Sequence, residues 1–431
     1  MLRELVSIRT VHPDGDNTAA ARAIARHLVA AGFDPADVRV LEPAPRKGNL
    51  VARLRGSGAA KPLLLLAHID VVEAKKEDWS DGLDPWTLTE RDGWLYGRGV
   101  LDDKGSAAAF ASILVALRRE GFRPARDIVL ALTADEEGGT HNGVKWLLEE
   151  HRALVDSELA LSEGGHATLR EGRPGFLGVQ VSEKLPVTFD LEATNKGGHS
   201  SLPVPDNAIY DLAAALDRLS RLELPARLGA GPRGYAARLL PSRSGAAADA
   251  LRAVLDGTAS GPQLKVLSED ASFNAQLRTT CVATMLEGGH AANALPQRAR
   301  ATVNCRLLPG EDAAFVQREL EKAAGPRVKV TARAKGNPSP ETSAESHAMK
   351  IIEREALATW PGISVSTVMS AGATDGSRLR NAGIPVYGLL PMFMAASDWQ
   401  RMHGRDERIP AKAFEEALGY LHRVVRALAG P

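Results

Sequence analysis

Cysteine is nearly missing from this chain of 431 residues: only Cys281 and Cys305 occur. Two thiols cannot make a disulfide framework or a four-thiolate zinc site, and the expectation is a cytoplasmic protein with reduced thiols. A periplasmic or secreted location stays open if an export signal was removed. No apolar run approaches the roughly 18 residues that a membrane-crossing helix needs. The first residues, "MLRELVSIRTVHPDGDN", have no long apolar stretch of a signal peptide and read as an amphipathic helix. Charge excess is missing too, because 53 Lys and Arg balance 53 Asp and Glu. A nucleic-acid binder usually carries a basic surplus, so neither nucleic acid nor membrane is an expected partner. What is present is ordinary for a globular protein, and the length suggests two or three domains.

Along the first third, helical and strand patterns alternate. Residues 17–32 are Ala-rich and stop at Gly32, and 105–121 and 143–151 are also helical. Residues 49–56, 62–69, 127–134 and 157–165 read as strands. This alternation predicts an α/β fold with a mostly parallel sheet flanked by helices. The texture changes near residue 180. Residues 186–195, "PVTFDLEATN", alternate polar and apolar as a half-exposed strand does, and a helix follows at 206–219. A Gly/Ala/Ser/Arg-rich stretch covers 229–262. Strand, helix and strand patterns then occupy 298–310, 311–324 and 327–336, and a last helix spans 411–428. The expected organisation is an α/β domain in two parts, 1–182 and 335–431, interrupted by an inserted α+β domain at 183–334.

Polar residues cluster where the expected strands end. "LLLLAHIDVV" at 63–72 runs from buried leucines into His68 and Asp70, two residues apart and therefore on one face of an extended chain. "GRGVLDDKGS" at 97–106 puts Asp102 and Asp103 before a helix. "TADEEGG" at 133–139 packs Asp135, Glu136 and Glu137 at a strand end, which is costly unless a cation neutralises them. "LSEGG" at 161–165 ends with Glu163, and "RMHGRDERIP" at 401–410 carries His403. Singly, each is a cap, a solvated turn or a surface histidine. Together, carboxylates and imidazoles at the ends of one sheet form the ligand chemistry of zinc and its first-row neighbours, whereas calcium would want oxygens only.

These motifs in this order resemble the M20 family of co-catalytic zinc peptidases and amidohydrolases. The family includes glutamate carboxypeptidases, aminoacylases, desuccinylases, dipeptidases and Gly-X carboxypeptidases. The resemblance covers nearly the whole chain. It implies two Zn2+ per chain, with Co2+ or Mn2+ as substitutes, held by His68, Asp102, Glu137, Glu163 and His403. Asp102 would bridge the metals across a cis Asp102–Asp103 peptide, and Asp70 would orient His68. Glu136 would be the general base that activates a metal-held water for attack on an amide carbonyl.

The resemblance also assigns roles in the insertion. "NKGGHSSLPVPDNAI" at 195–209 resembles a lid motif in which His199 reaches the neighbouring subunit's oxyanion. "NALPQRARATVNCR" at 293–306 puts Asn293 and Arg306 where relatives hold the substrate's carboxylate. Gly372, Ala373 and Thr374 in "SAGATDGSRL" fall where relatives line the substrate pocket. Arg378 is a second anion contact or a surface residue. The expected partners are a small peptide or N-acyl amino acid and a second copy of the chain. That copy would pair through the insertion, where the alternating strand at 186–195 would leave an edge to cover. The expected activity is amide hydrolysis of carboxypeptidase or aminoacylase type. The rivals are a dipeptidase requiring a free amino group and a non-catalytic binding protein on the same fold.

Overall fold

A computed structural model describes residues 1–334 and 337–430 of the chain. The chain divides into two compact units. The first comprises Met1–Val181, Thr342–Val368 and Thr374–Pro431; the second comprises Ser182–Glu341 with Met369–Ala373.

The first unit is built on a mixed sheet. Its strands lie in the order Val38–Leu41, Asn49–Leu54, Arg126–Thr133, Ala60–His68, Leu159–Ser162, Val386–Gly388, Arg173–Glu183, Ser364–Ser370. Pairing is parallel among the middle four strands from Arg126–Thr133 to Val386–Gly388. Asn49–Leu54 joins one side and Arg173–Glu183 the other in antiparallel fashion. The sheet is therefore parallel in its middle rather than mostly parallel. Four consecutive leucines, Leu63 to Leu66, are buried because both sides of their strand are covered. Leu64 and Leu66 pack with Val144, Leu147 and Leu379. Alternation sends Leu63 and Leu65 to the opposite face, where helices Lys104–Arg119 and Ala411–Ala429 contact the strand. Each buried leucine stabilises the sheet by about 1.5–3 kcal/mol. A three-stranded sheet, Arg408–Pro410, Trp94–Tyr96 and Thr89–Arg91, anchors the segment after His403.

The chain start differs from expectation. The helix covers only Leu2–Ser7. Thr10 and Val11 are β-branched, and Pro13 supplies no N–H, so the helix does not extend.

The second unit carries an antiparallel sheet in the order Thr280–Gly288, Arg298–Leu307, Leu185–Thr194, Val328–Ala332. The strand expected at 327–336 ends at Ala332, and its last two residues, Lys335 and Gly336, lie outside the described residues. Helices Ala208–Ser220 and Ala313–Ala324 cover one face through Leu212, Val316 and Leu320, packed on Phe189, Leu191 and Val303. The other face presents Asp190, Glu192, Arg300 and Arg333 to solvent as ion pairs. Leu185–Thr194 alternates as expected but lies between two partners, so it is no edge. The two edges are Val328–Ala332 and Thr280–Gly288, the latter with Val282, Met285 and Leu286 exposed.

The Gly/Ala-rich stretch at 229–262 and the residues that follow it fold into helices Ala230–Leu239, Gly245–Asp256, Gly261–Ser268 and Ala271–Leu277 around Leu251, Val254, Leu267, Phe273 and Leu277. The expectation of reduced thiols is also corrected: Cys281 and Cys305 form a disulfide. Register explains the pairing, because the two residues lie directly opposite on adjacent strands. Among the described residues no helix is long and apolar enough to cross a membrane.

Candidate metal centre

Three neighbouring strands end at one place in the first unit. His68 is the last residue of Ala60–His68, Glu163 follows Leu159–Ser162, and Asp135 to Glu137 follow Arg126–Thr133. Open α/β sheets put their sites beyond the carboxyl ends of such strands. Asp102 and Asp103 arrive from a fourth direction, directly before helix Lys104–Arg119, and their peptide is cis. His403 comes from the loop ahead of Arg408–Pro410, with a left-handed φ of 60°.

Asp102 spans the two histidines. Its Oδ1 lies 2.9 Å from His68 Nε2 and its Oδ2 3.0 Å from His403 Nε2. Each histidine has its own glutamate: Glu163 Oε1 is 3.7 Å from His68 Nε2, and Glu137 Oε1 is 2.8 Å from His403 Nε2. Two donor sets, His68–Asp102–Glu137 and His68–Asp103–Glu163, have ligand atoms within 4.8 Å of one another. Asp103 enters the second set in a place the resemblance gives to Asp102. One Asp103 oxygen accepts the backbone N–H of His68 at 3.2 Å, which fixes the strand end.

Asp70 lies beside the His68 ring that it is expected to orient. His68 Nδ1 meets the Asp70 backbone carbonyl at 3.0 Å, whereas the nearest carboxylate oxygen is 3.6 Å away. That carboxylate instead accepts the backbone N–H groups of Glu136 at 3.1 Å and Glu137 at 2.9 Å. The strand stops at His68, so the alternation that would align Asp70 with it does not continue. Asp70 thus fixes the turn carrying Glu136 and Glu137, while its charge still lies beside the ring.

The electrostatics are those of a crowded acidic crevice. Burial pushes the Glu136 carboxyl up to about 8; the His68 charge opposes the rise and Asp375 adds to it. Burial likewise lifts Asp103 to about 7 and Glu163 well above the usual carboxylate range. For His68, burial alone would lower the imidazole, but Glu163 and Asp102 outweigh it and push it well above its ordinary value. Contacts with Asp102 and then Glu137 push His403 up to about 10. Burial would raise Asp102, yet His403 and His68 hold it below the usual range. Such shifts mark a strongly negative field, and a dication is its natural counterion.

The residues fit a metal by a second criterion. Glu137 Oε1 and Asp103 Oδ1 are buried with no hydrogen bond among the described residues. Both oxygens keep lone pairs that a cation can accept, and Glu137 Oε1 lies 2.8 Å from His403 Nε2. Mixed nitrogen and carboxylate donors suit zinc and related metals.

The remaining candidates lie in the second unit or beside it in sequence. His199 is exposed and its Nδ1 accepts from Ser201, at 2.7 Å from the hydroxyl. Asn293 gives its carbonyl to Ser200 N–H at 3.1 Å. Arg306 sits on Arg298–Leu307 opposite Pro186 and Thr280. Gly372 and Ala373 belong to the second unit, and Thr374 opens the next segment of the first. Arg378 donates to the buried Asp375 at 3.1 Å and is no isolated surface residue. Sequence reasoning passed over Asp375, Arg98 and Glu407. Asp375 accepts from Asn142 at 2.8 Å, and Asn142 also reaches the Asp135 carbonyl. Glu407 was visible inside "HGRDER", four residues after His403, and Arg98 inside "GRG", four before Asp102.

A family model described as peptidase family M20/M25/M40 matches residues 64–427. The chain belongs to this family. It is 32% identical over 375 residues to the N-fatty-acyl-amino acid synthase/hydrolase PM20D1 of Xenopus tropicalis, covering 85% of this chain and 72% of that protein. It is 29% identical to the probable carboxypeptidase S-like 2 of Dictyostelium discoideum, covering 85% of this chain and 71% of that protein. The fold matches the M20 metallo-carboxypeptidase Sso-CP2 of Sulfolobus solfataricus with a TM-score of 0.69, at 18% identity over 98% and 97% of the two chains. As a member of the M20 peptidases and amidohydrolases, the chain is an enzyme, which sets aside the non-catalytic rival.

Proposed function

We propose that the chain hydrolyses the amide bond of an N-acyl amino acid or peptide, as aminoacylases and carboxypeptidases do. Its centre takes two zinc ions, held by His68, Asp102, Glu137, Glu163 and His403. The observation that carries this reading is Asp102, whose two oxygens face two different histidines, each with its own glutamate. Zinc there supplies Lewis acidity and makes a nearby water easier to deprotonate, and cobalt or manganese would serve similarly. Glu136 takes that proton and carries it to the leaving nitrogen. Its burial keeps it more basic than an ordinary carboxylate, and its backbone is tied to Asp70. Arg306 and Asn293 hold the substrate's carboxylate, Gly372, Ala373 and Thr374 line the substrate pocket, and His199 stabilises the developing oxyanion from a neighbouring subunit. The relatives support the substrate class, since one is named for N-fatty-acyl-amino acids and another as a carboxypeptidase.

The homodimer is part of the proposal. The open edge Thr280–Gly288 exposes Val282, Met285 and Leu286, and a two-fold pairing would cover it. Mixing the inactive variants His199→Ala and Glu136→Gln should restore activity once subunits exchange; exchange without activity removes the trans role of His199. The central experiment is metal analysis with a panel of N-acyl amino acids and free and N-acylated dipeptides. Two metals per chain and cleavage of N-acylated substrates are expected. A folded protein that binds no metal overturns the centre, and cleavage confined to free dipeptides assigns a dipeptidase.

A further inference from the structure

Two buried charges stand behind the centre. Glu407 is wholly inaccessible and Arg98 is 2% exposed. Glu407 Oε1 accepts the backbone N–H groups of Leu101 at 2.8 Å and Asp102 at 3.2 Å. Its Oε2 accepts from Gly99 N–H at 3.1 Å and from Arg98 Nη1 at 2.6 Å. Arg98 Nη2 in turn donates to the carbonyls of His403 at 3.3 Å and Gly404 at 2.9 Å. One carboxylate thus grips the peptide that carries Asp102, and its partner guanidinium grips the loop that carries His403. The two segments lie about three hundred residues apart in sequence; the strands just outside them, Trp94–Tyr96 and Arg408–Pro410, pair, and the two charges carry the connection inward to Asp102 and His403.

Stability alone does not account for the pair. Burying a carboxylate and a guanidinium is expensive, and apolar residues of similar volume often serve a core at least as well. Arg98 Nε is buried without a hydrogen bond among the described residues, a further cost. The loop also holds His403 and Asp406 at φ values of 60° and 54°, which side-chain-bearing residues rarely adopt and which surrounding bonds must impose. The groups that these charges satisfy are the backbone atoms fixing Asp102 and His403.

We propose that Arg98 and Glu407 are positioning residues that set the separation of Asp102 from His403, and so the geometry of the cation site formed with Glu137. The inference rests on the metal centre proposed above. Neither side chain is a ligand; both act through backbone.

The test compares Glu407→Gln, which removes the charge but keeps the shape, with Arg98→Lys, which keeps the charge but loses the fork. Zinc affinity is measured by competition with a chromogenic chelator, cobalt geometry by visible absorption of the Co2+ form, and folding by circular dichroism. The more weakly held metal should bind about 10- to 100-fold less tightly in both variants, as is usual when partners behind metal ligands are lost. The cobalt bands should shift, and kcat should fall with KM little changed. Folded variants with wild-type metal affinity and cobalt spectrum would overturn the proposal. Loss of fold in both, unrestored by saturating zinc, would assign the pair to core stability and overturn it equally. A wild-type chain that binds no metal would identify the failure as that of the centre itself.

Discussion

Two ion pairs of similar length behave differently in this molecule. In the first unit, Arg98 Nη1 meets Glu407 Oε2 at 2.6 Å, with side chains 3% and 0% exposed. In the second, Arg333 meets Asp190 at 2.8 Å on the open sheet face, with side chains 51% and 42% exposed. Water screens the exposed pair and already solvates both partners, so it contributes little to holding any atom in place. The buried pair has no such alternative. Its carboxylate oxygens and guanidinium Nη groups take protein partners, among them the backbone beside Asp102 and His403. An arginine–carboxylate pair thus ties down backbone in one unit and lies on a solvated sheet face in the other. Desolvation separates the two outcomes, and its consequences can be measured in order of size.

The largest expected effect is in the acidic crevice. Glu136→Gln should lower turnover about 100- to 10,000-fold, the usual range for a lost proton carrier, while metal content stays at wild-type level. Steady-state kinetics with metal analysis checks this, and activity within a few-fold of wild type would show that the buried acids are not organised around Glu136. Next comes Lys47, which pairs with Asp135 at 2.7 Å with side chains 8% and 0% exposed. Lys47→Met leaves a buried carboxylate unpaired, which typically costs about 3–5 kcal/mol. Denaturant unfolding reads the loss directly, and a loss below about 1 kcal/mol would put this pair with the surface ones.

A third test asks whether burial matters in the second unit as well. Lys184 is buried and donates to the carbonyls of Ala275 at 2.9 Å and Arg278 at 2.8 Å, tying helix Ala271–Leu277 to the sheet. Burial lowers its ammonium to about 8 from the usual 10.5, with Glu311 opposing and Arg306 reinforcing the shift. Between those values the unfolded chain binds more protons than the folded one, so stability from this site rises with pH. The contribution is fully present above 10.5 and is lost as pH falls through about 8. The stability of wild type relative to Lys184→Met should therefore increase from pH 7.5 to 10.5, and a flat difference would refute the shift. The smallest effect is expected for Arg333→Ala, which should leave the unfolding midpoint within experimental scatter. A clear fall would show that the exposed pairs act as a network and would weaken the contrast.

Much of the centre was readable from the chain because strand ends announce themselves. Buried leucines running into His68, acids directly after "VLALTA", and Glu163 after "LALS" require only local pattern to be noticed. Asp70 shows where local pattern stops. Extended-chain alternation pairs it with His68, but the strand ends at His68 and the Asp70 carboxylate turns to the backbone of the acidic turn. The four helices between 230 and 277 were hard to see because alanine and glycine occupy positions where a clear apolar stripe would use leucine. Ala236, Ala250 and Ala253 are buried all the same.

By itself the sequence determined the alternating α/β order, the residues that crowd at the strand ends and the family motifs that group them. Those properties depend on side-chain type and short-range periodicity, which a linear chain carries in full. Tertiary structure alone decided which strands became the edges of the second sheet, that Cys281 lies opposite Cys305, and that Asp102 spans two histidines. It also brought Glu407 against Asp102 from a distant part of the chain. These are matters of register and long-range contact, fixed only when burial forces each charged or hydrogen-bonding group to find a partner, however far away in sequence that partner lies.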